Sequence, residues 1–479
     1  MTDRLSALDA SFLYVEDRDT PMHAGSVMIF DPPKRGFDLD RLASYVAARI
    51  ESVPRYRQKV VTVPGRIAKP VWVDDTAFDV SYHVRRSGLP RPGTDEQLEE
   101  FVARIESRPL DLKRPLWELY IVEGLEHGRF AVITKTHYAL VDGLNAVSLD
   151  QLLVSRSRRA GPDDAPDPTP WRPRSEPSAI GLVTDAVLDV VRSPSDVVDT
   201  LRGGAADLRA TYGRMLGALG AAAATLAKVS TRPAPSSPLN VRVSGARRFV
   251  MVGTDLEDYR TVRAGLMEGR FAEEVTINDV ILATIAGALR SWLLTRGEAV
   301  LPTTTIRAMV PVSVMDADDP AAEVVGGLKA CYVDLPVGEA GAGIRLQQVA
   351  FAMLQEMENG SPVGADALAG IGGFAPPTLH ALGARLGSAV SRRLYNLVVT
   401  NVPGPQHPLY AMGARLLASY PVLPLSHGQA LSIGLTSYDG GVYYGLLADR
   451  VTIPDADVLG QCIVDALAEL IASQQGTRA

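Results

Sequence analysis

The residues best suited to chemistry stand in the run Lys-Thr-His-Tyr-Ala-Leu-Val-Asp-Gly at positions 135–143. His137 carries an imidazole, whose pKa lies close to neutral pH, so it could act as a general base toward an acceptor hydroxyl. Tyr138 could not, because a phenol with a reference pKa of about 10 is ionised in roughly one molecule in a thousand at pH 7. Asp142 and Gly143 alone would indicate an ordinary turn. A His-x-x-x-Asp spacing also arises by chance, so the rest of the sequence has to show whether this run is a catalytic site.

A strand is predicted to carry this run. Residues 129–136 are rich in β-formers and lead directly into it, which is typical of a buried strand ending at a site. In an extended chain successive side chains face opposite ways, so His137 would face away from the pocket that Tyr138 faces. A β-bulge could re-aim it. His137 is therefore either the base or a structural residue, and the strand geometry favours the structural role.

The composition predicts two α/β parts joined by a helical bridge. Residues 156–177 are crowded with Pro, Arg and Asp, 179–228 are rich in Ala, Leu and Val with breaks near 193–194 and 203–204, and 230–240 are rich in Pro and Ser. The predicted units are residues 1–155, 156–240 and 241–479. Strands are predicted at 24–31, 247–252, 305–312, 329–335, 395–401, 431–437 and 442–448, a short helix at 42–50 and a capped amphipathic helix at 276–290.

The totals exclude several classes of protein. A net charge of −7 argues against a general nucleic-acid binder. The two cysteines, Cys331 and Cys462, cannot form a disulfide framework, and no spacing suggests zinc or another metal site. The N-terminal residues lack the apolar core of a signal peptide. We expect a cytoplasmic protein, either soluble or peripheral at the inner face of the membrane.

Landmarks along nearly the whole chain resemble the bacterial wax ester synthase/diacylglycerol acyltransferase family. They are Leu8-Asp9, Phe12-Leu13, Pro21-Met22-His23, Arg114-Pro-Leu-Trp-Glu118, Glu123-Gly-Leu125, the run at 137–143, Asn278-Asp279, Val310-Pro-Val-Ser313, Asn401-Val-Pro-Gly-Pro405, Ser437-Tyr-Asp-Gly440 and Asp449. The run at 137–143 matches the His-His-x-x-x-Asp-Gly signature except that Tyr138 replaces the second histidine. In that family the second histidine is the general base.

The resemblance implies a mixed α/β fold of two chloramphenicol-acetyltransferase-like halves that form a pseudo-dimer with a substrate tunnel between them. It implies acyl-CoA as co-substrate, with no other cofactor, and a diacylglycerol or long-chain alcohol as acceptor. In the family Asp142 orients the loop rather than reacting, and Gly143 allows its backbone geometry. His23, His407 and His427 lie near landmarks, so one of them could enter the tunnel.

Four more residues are candidates through the resemblance. Asn278 lines the family's active site, where its amide could hold the acceptor or the oxyanion, and the alternative is a helix N-cap. Trp117 either lines the acyl channel or is a buried core residue. Asn401 is expected near the interface of the halves, and Ser437 stands among the substrate-binding candidates.

A second departure weakens the catalytic reading. The family has Gly-Asn about ten positions before Leu335-Pro336, where this chain reads Val325-Gly-Gly-Leu328.

The sequence leaves three candidate functions: an acyl-CoA-dependent O-acyltransferase that makes triacylglycerol or wax esters, a catalytically impaired paralogue that binds acyl-CoA or lipid or partners an active enzyme, and a condensation-type enzyme. The first is favoured.

The helical bridge offers two readings. Its apolar faces and upstream arginines at 156–174 could bind an anionic membrane or a lipid droplet. The other reading is a bridge packed across the two halves.

Overall fold

The computed structural model describes residues 3–33, 37–140, 148–158, 171–192, 233–265, 275–313, 328–359 and 393–476. The strands in these ranges are β1 Asp3–Arg4, β2 His23–Asp31, β3 Gln58–Val61, β4 Val71–Asp74, β5 Val84–Gly88, β6 Trp117–Glu123, β7 Phe130–His137, β8 Arg247–Asp255, β9 Ile306–Ser313, β10 Leu328–Leu335, β11 Leu397–Pro403, β12 Tyr410–Ala411, β13 Ala414–Val422, β14 Leu431–Tyr438 and β15 Gly441–Asp449. The helices are α1 Ala7–Val15, α2 Leu39–Glu51, α3 Val80–His83, α4 Asp95–Glu106, α5 Leu149–Leu153, α6 Ala179–Arg192, α7 Leu256–Gly265, α8 Ile277–Thr295, α9 Ala342–Asn359 and α10 Ala456–Gly476.

One six-stranded sheet carries the motif and has the order β12-β13-β2-β7-β6-β5. β2 and β7 run antiparallel with His23 opposite His137, and β13 runs antiparallel to the other edge of β2. The apolar side chains of β2, β6 and β7 alternate between two cores, as the period of two in a strand requires. β12 and β13 lie late in the chain, so the C-terminal part completes the N-terminal sheet.

The second six-stranded sheet belongs to the C-terminal half and has the order β10-β9-β11-β14-β15-β8. β11 pairs parallel to both β9 and β14, and the other pairs are antiparallel. Two mixed sheets with helices confirm the predicted mixed α/β class of two halves. The predicted strands and the helix at 42–50 are also confirmed, with ends shifted by a few residues.

α8 is the central helix of the C-terminal half and corrects one prediction. Its side chains are buried on nearly every side, among them Val280, Leu282, Ile285 and Leu289, so the helix is not amphipathic. Among the described residues it is also the one helix long and apolar enough to span a membrane by length and composition, and 72% of that window is buried inside the protein. Its apolar surface is therefore used by the core.

The described parts of the predicted bridge pack on both halves. Residues 233–240 lie against the C-terminal half, where Leu239 enters the core, and residues 171–192 lie against the N-terminal half. The Trp171 ring meets Phe78 edge-on, with centroids 6.3 Å apart, and lies under the Arg57 guanidinium. Leu182 of α6 packs against Val63 and its neighbours near the small sheet β1-β4-β3. The predicted helix breaks near 193–194 and 203–204 lie outside the described residues.

Candidate active site

The motif lies at the exit of the central strand β7. β7 ends at His137, and Tyr138–Leu140 form one turn of 3-10 helix. The His137 N–H donates to the Leu116 carbonyl at 3.0 Å, and the Tyr138 N–H donates to the Met22 carbonyl at 3.0 Å. Backbone bonds to two different segments thus fix the start of the turn. Asp142 and Gly143 lie outside the described residues.

The His137 imidazole is fully buried, and both of its nitrogens face a partner. Nδ1 accepts the Ala139 N–H at 3.0 Å, so the neutral ring carries its proton on Nε2. Nε2 lies 3.3 Å from Glu16 Oε2. A ring held in this way has no lone pair left for a substrate proton, so the geometry favours the structural role. His137 also shares its sheet face with Ile133 and Lys135, which pack toward α4.

Tyr138, where the resemblance would place the second histidine of the signature, remains partly accessible. Its ring lies against Phe12 of α1, with centroids 5.1 Å apart. Burial, together with the nearby Tyr395 of the C-terminal half, raises the pKa of Tyr138 to about 12. The phenol is therefore protonated at neutral pH. It can donate a hydrogen bond, but it cannot act as a ready-made base.

Asn278 and Asn401 meet in the C-terminal half. The Asn401 side-chain amide donates to Asn278 Oδ1 at 3.3 Å. The N-cap of α8 is Thr276. Its hydroxyl accepts the Asp279 N–H, and the Asp279 carboxylate accepts the Thr276 N–H. The N-cap reading of Asn278 is therefore wrong, and its side chain is available for the contact with Asn401.

Trp117 and Ser437 have contacts elsewhere. Trp117 is fully buried, donates its indole N–H to the Tyr56 carbonyl at 2.7 Å and stacks on His83 with centroids 4.5 Å apart. These contacts place it in the N-terminal core. Ser437 Oγ accepts from the Gln406 amide at 3.2 Å, beside the loop that follows Asn401. The structure thus places His137 and Tyr138 at the end of β7 and brings Asn278 into contact with Asn401. Trp117 lies in the N-terminal core, and Ser437 contacts the loop after Asn401.

Several buried charges lie behind the motif. His23 Nε2 lies 2.9 Å from Glu106 Oε2, and both side chains are almost fully buried. Burial is the main cause that lowers the pKa of His23. The Lys135 ammonium is also buried, and it donates to the carbonyls of Ile105 at 2.9 Å and of Arg108, where it caps the C-terminus of α4.

Sequence reasoning missed Glu16 and Glu106. Each lies far from its histidine in the chain, and no spacing rule connects them. Only the pairing of β2 with β7 and the packing of α1 and α4 bring them together. His427, one of the histidines predicted to be able to enter the tunnel, contacts the segment after α1, where its Nδ1 lies 2.7 Å from Thr20 Oγ1.

An open cavity of about 350 Å³ lies at the far end of α8, among Leu293, Glu298 and Thr304. A helix rises 1.5 Å per residue, so this end lies roughly 20 Å from Asn278. The described ranges contain no group of three His, Cys, Asp or Glu side chains that could hold a metal. The second sequence departure, at 325–327, falls outside the described residues.

Comparisons with known proteins agree with one another. Residues 5–281 match the wax ester synthase/diacylglycerol acyltransferase catalytic domain, and residues 328–471 match the WS/DGAT C-terminal domain. A probable diacylglycerol O-acyltransferase of Mycobacterium tuberculosis, tgs2, is 36% identical over 471 residues, which cover 94% of this chain and 95% of that protein. Another from the same species, tgs3, is 44% identical over 267 residues, which cover 55% of this chain and 96% of that protein.

The solved structures give the same answer. The wax ester synthase/diacylglycerol acyltransferase from Marinobacter aquaeolei VT8 superposes with a TM-score of 0.68 and 27% identity, covering 98% of this chain and 100% of that one. The first condensation domain of the CDA synthetase superposes with a TM-score of 0.58 and 16% identity, covering 98% and 96%, and shows a shared fold. The chain belongs to the wax ester synthase/diacylglycerol acyltransferase family.

Proposed function

We propose that the protein transfers an acyl group from acyl-CoA to the hydroxyl of a diacylglycerol or a long-chain alcohol. The observation that carries the proposal is the family match over both domains, with the motif at the exit of β7. The relative tgs2, which is named as a probable diacylglycerol O-acyltransferase, matches 94% of this chain, which favours an active enzyme over an impaired paralogue.

Tyr138 calls for a different proton path from that of an imidazole. We propose that the acceptor oxygen attacks the thioester carbonyl while its proton passes to the Tyr138 oxygen. In the same step the phenol proton passes to the departing CoA sulfur, so that a C–O bond forms, the C–S bond breaks and Tyr138 ends protonated. A phenol with a pKa of about 12 stays protonated between turnovers, as a relay requires.

The amides of Asn278 and Asn401 are our candidates for the groups that face the reacting carbonyl. An amide N–H directed at the oxyanion is worth on the order of 10²- to 10³-fold in rate in other acyl-transfer enzymes. Their mutual contact at 3.3 Å supports a shared polar patch at the start of α8 and in β11.

The test is the release of CoA from palmitoyl-CoA with dioleoylglycerol or hexadecanol as acceptor. Wild type should turn over, and Tyr138→Phe, which removes the relay oxygen, should lose about 10²-fold or more in kcat. Tyr82→Phe is a matched control, because it removes the same hydroxyl from a tyrosine outside the motif and keeps the ring over which the Arg114 guanidinium lies. Absence of acceptor-dependent CoA release from folded wild type would refute the proposed function. Full activity of Tyr138→Phe would refute the relay alone.

We also propose a cytoplasmic location at the inner face of the membrane or on lipid droplets, because both acceptors dissolve in lipid. The upstream arginines of the bridge support this through attraction to anionic surfaces. Cell fractionation with and without 0.5 M salt checks it, and recovery solely in the soluble fraction at low salt would contradict it.

A further inference from the structure

Glu16 joins three parts of the molecule at one buried carboxylate. It caps the C-terminus of α1, where its N–H donates to the Phe12 carbonyl at 3.1 Å. Its Oε1 accepts the Met22 N–H at 3.3 Å, and its Oε2 lies 3.3 Å from His137 Nε2. The side chain is only 8% exposed. A carboxylate in such a place needs these partners, because water cannot reach it freely.

These contacts surround Tyr138 without touching its hydroxyl. The Met22 carbonyl accepts the Tyr138 N–H, and His137 Nδ1 accepts the Ala139 N–H. Glu16 therefore contacts the residues that hold the backbone on both sides of Tyr138. Phe12, one turn earlier in α1, lies against the Tyr138 ring.

The C-terminal half holds residues 15–20, the segment that contains Glu16. His427 Nε2 donates to the Val15 carbonyl at 3.1 Å, and its Nδ1 bonds to Thr20 Oγ1 at 2.7 Å. The guanidinium of Arg247 donates to the Asp19 carbonyl. Residues 15–20 are thus held by the C-terminal half at three points, while Glu16 reaches back to the motif of the N-terminal half.

We propose that Glu16 is a positioning residue for the acyl transfer. It holds the His137 imidazole, and through it the Tyr138–Leu140 turn, in a place that α1 and the C-terminal half set together. The inference rests on the proposed function for its kinetic consequence. In this proposal the buried His137 does not abstract a proton. It links Glu16 to the turn that carries Tyr138.

The test is a double-mutant cycle in the full-length protein. Glu16→Gln keeps the shape, but its single amide oxygen can face only one of the two groups that the carboxylate faces, the Met22 N–H and His137 Nε2. His137→Asn keeps a side-chain acceptor two residues before the Ala139 N–H, as in an Asx turn, and loses the contact with Glu16. Each single variant should lower kcat about 10- to 100-fold with the KM for palmitoyl-CoA within about twofold. The double variant should fall no further.

Controls separate positioning from loss of fold. Glu257→Gln makes the same chemical change at an exposed site on α7 and should behave as wild type. Rates are divided by the number of palmitoyl-CoA sites measured by calorimetric titration, so an unfolded fraction does not count as lost kcat. Glu16→Gln within about twofold of wild type, or additive losses in the double variant, would overturn the inference.

A second readout is independent of catalysis. Hydrogen exchange of the peptides covering residues 12–22 and 130–140 should quicken about tenfold in Glu16→Gln and not in Glu257→Gln. If wild type shows no acyl transfer, the proposed function fails, and unchanged exchange in Glu16→Gln would then overturn the contact as well. If Glu16→Gln does not fold, His137→Asn carries both measurements.

Discussion

At the scale of single residues, a phenol at position 138, where the resemblance would place an imidazole, changes how a proton can move. An imidazole exists in both forms near neutral pH, whereas the pKa of Tyr138 is raised to about 12 by burial and by Tyr395. At pH 7 only about one such phenol in 10⁵ is ionised. The geometry disfavours His137 as a replacement base, because Ala139 and Glu16 face its two nitrogens.

Tyr138→His should therefore change the pH dependence of the reaction as well as its rate. Between pH 6 and 9 we expect no ionisation of Tyr138 in the wild-type profile of kcat/KM. The histidine variant should gain a rising limb near pH 6.5, with a rate at pH 8 about 10- to 100-fold above wild type. Steady-state assays across this range decide it. A wild-type limb near pH 7 that persists in Tyr138→Phe would mean that another group is the base.

At the scale of elements, α4 of the N-terminal half meets β8 of the C-terminal half through a buried carboxyl. Glu99 Oε1 accepts the Met251 N–H at 2.7 Å. Burial raises the pKa of Glu99 to about 7, against the bond from Met251, which lowers it. This interface thus holds a group that changes charge close to neutral pH.

Glu99→Gln should stabilise the protein in a pH-dependent way. Because the folded pKa lies above the unfolded value of about 4.3, the folded state takes up a proton as pH falls through 7, and ionised Glu99 costs stability above pH 7. The variant keeps a carbonyl acceptor for Met251 without the charge. Its free energy of unfolding should exceed that of wild type by about 1–2 kcal/mol at pH 8, a figure that allows for the partial exposure of Glu99. At pH 5.5 the difference should be less than half of that.

Urea unfolding at the two pH values measures this difference. The exposed Glu100→Gln on the same helix is the control and should match wild type at both. An equal gain for Glu99→Gln at pH 8 and pH 5.5 would show that the charge of Glu99 is not the cause.

At the scale of the whole molecule, the two sheets cross where β13 passes over the C-terminal sheet. Gly434 of β14 and Gly445 of β15 stand opposite each other, and both face Pro421 of β13. A Cβ on Gly445 would lie 1.9 Å from the Pro421 carbonyl oxygen, and one on Gly434 would lie 3.0 Å from the Pro421 ring. Only glycine lets the backbones approach so closely, so this crossing fixes how the halves fit.

Gly445→Ala should be among the most destabilising small substitutions in the chain. The added methyl cannot be relieved by a side-chain rotation, because its neighbour is backbone. We expect a loss of about 3 kcal/mol or more in the free energy of unfolding. The matched control is Gly343→Ala in α9, where a Cβ meets nothing within 4 Å and should stabilise by about 0.5–1 kcal/mol. Equal stability of the two variants by calorimetry would contradict a tight crossing.

The sequence by itself determined most of the elements and the family. Apolar runs bounded by turn residues gave the strands from β8 to β15 apart from β12 and β13, because a buried strand must be apolar wherever it lies. The motif strand was visible for the same reason. The sequence analysis does not predict β13, which contains Pro421, a residue unfavourable inside a strand. Its pairing with β2 shows that the sheet accepts it.

Only the tertiary structure decided which contacts the candidate site residues make. Sequence spacing left His137 and Asn278 each with two readings. The contacts of Glu16 and Ala139 with the imidazole favour a structural role for His137. The N-cap at Thr276 rules out an N-cap role for Asn278. Such contacts join residues that are distant in the chain, and their energies depend on burial and on geometry within a few tenths of an ångström. Local sequence fixes periodicity and propensity, and it does not carry those distances.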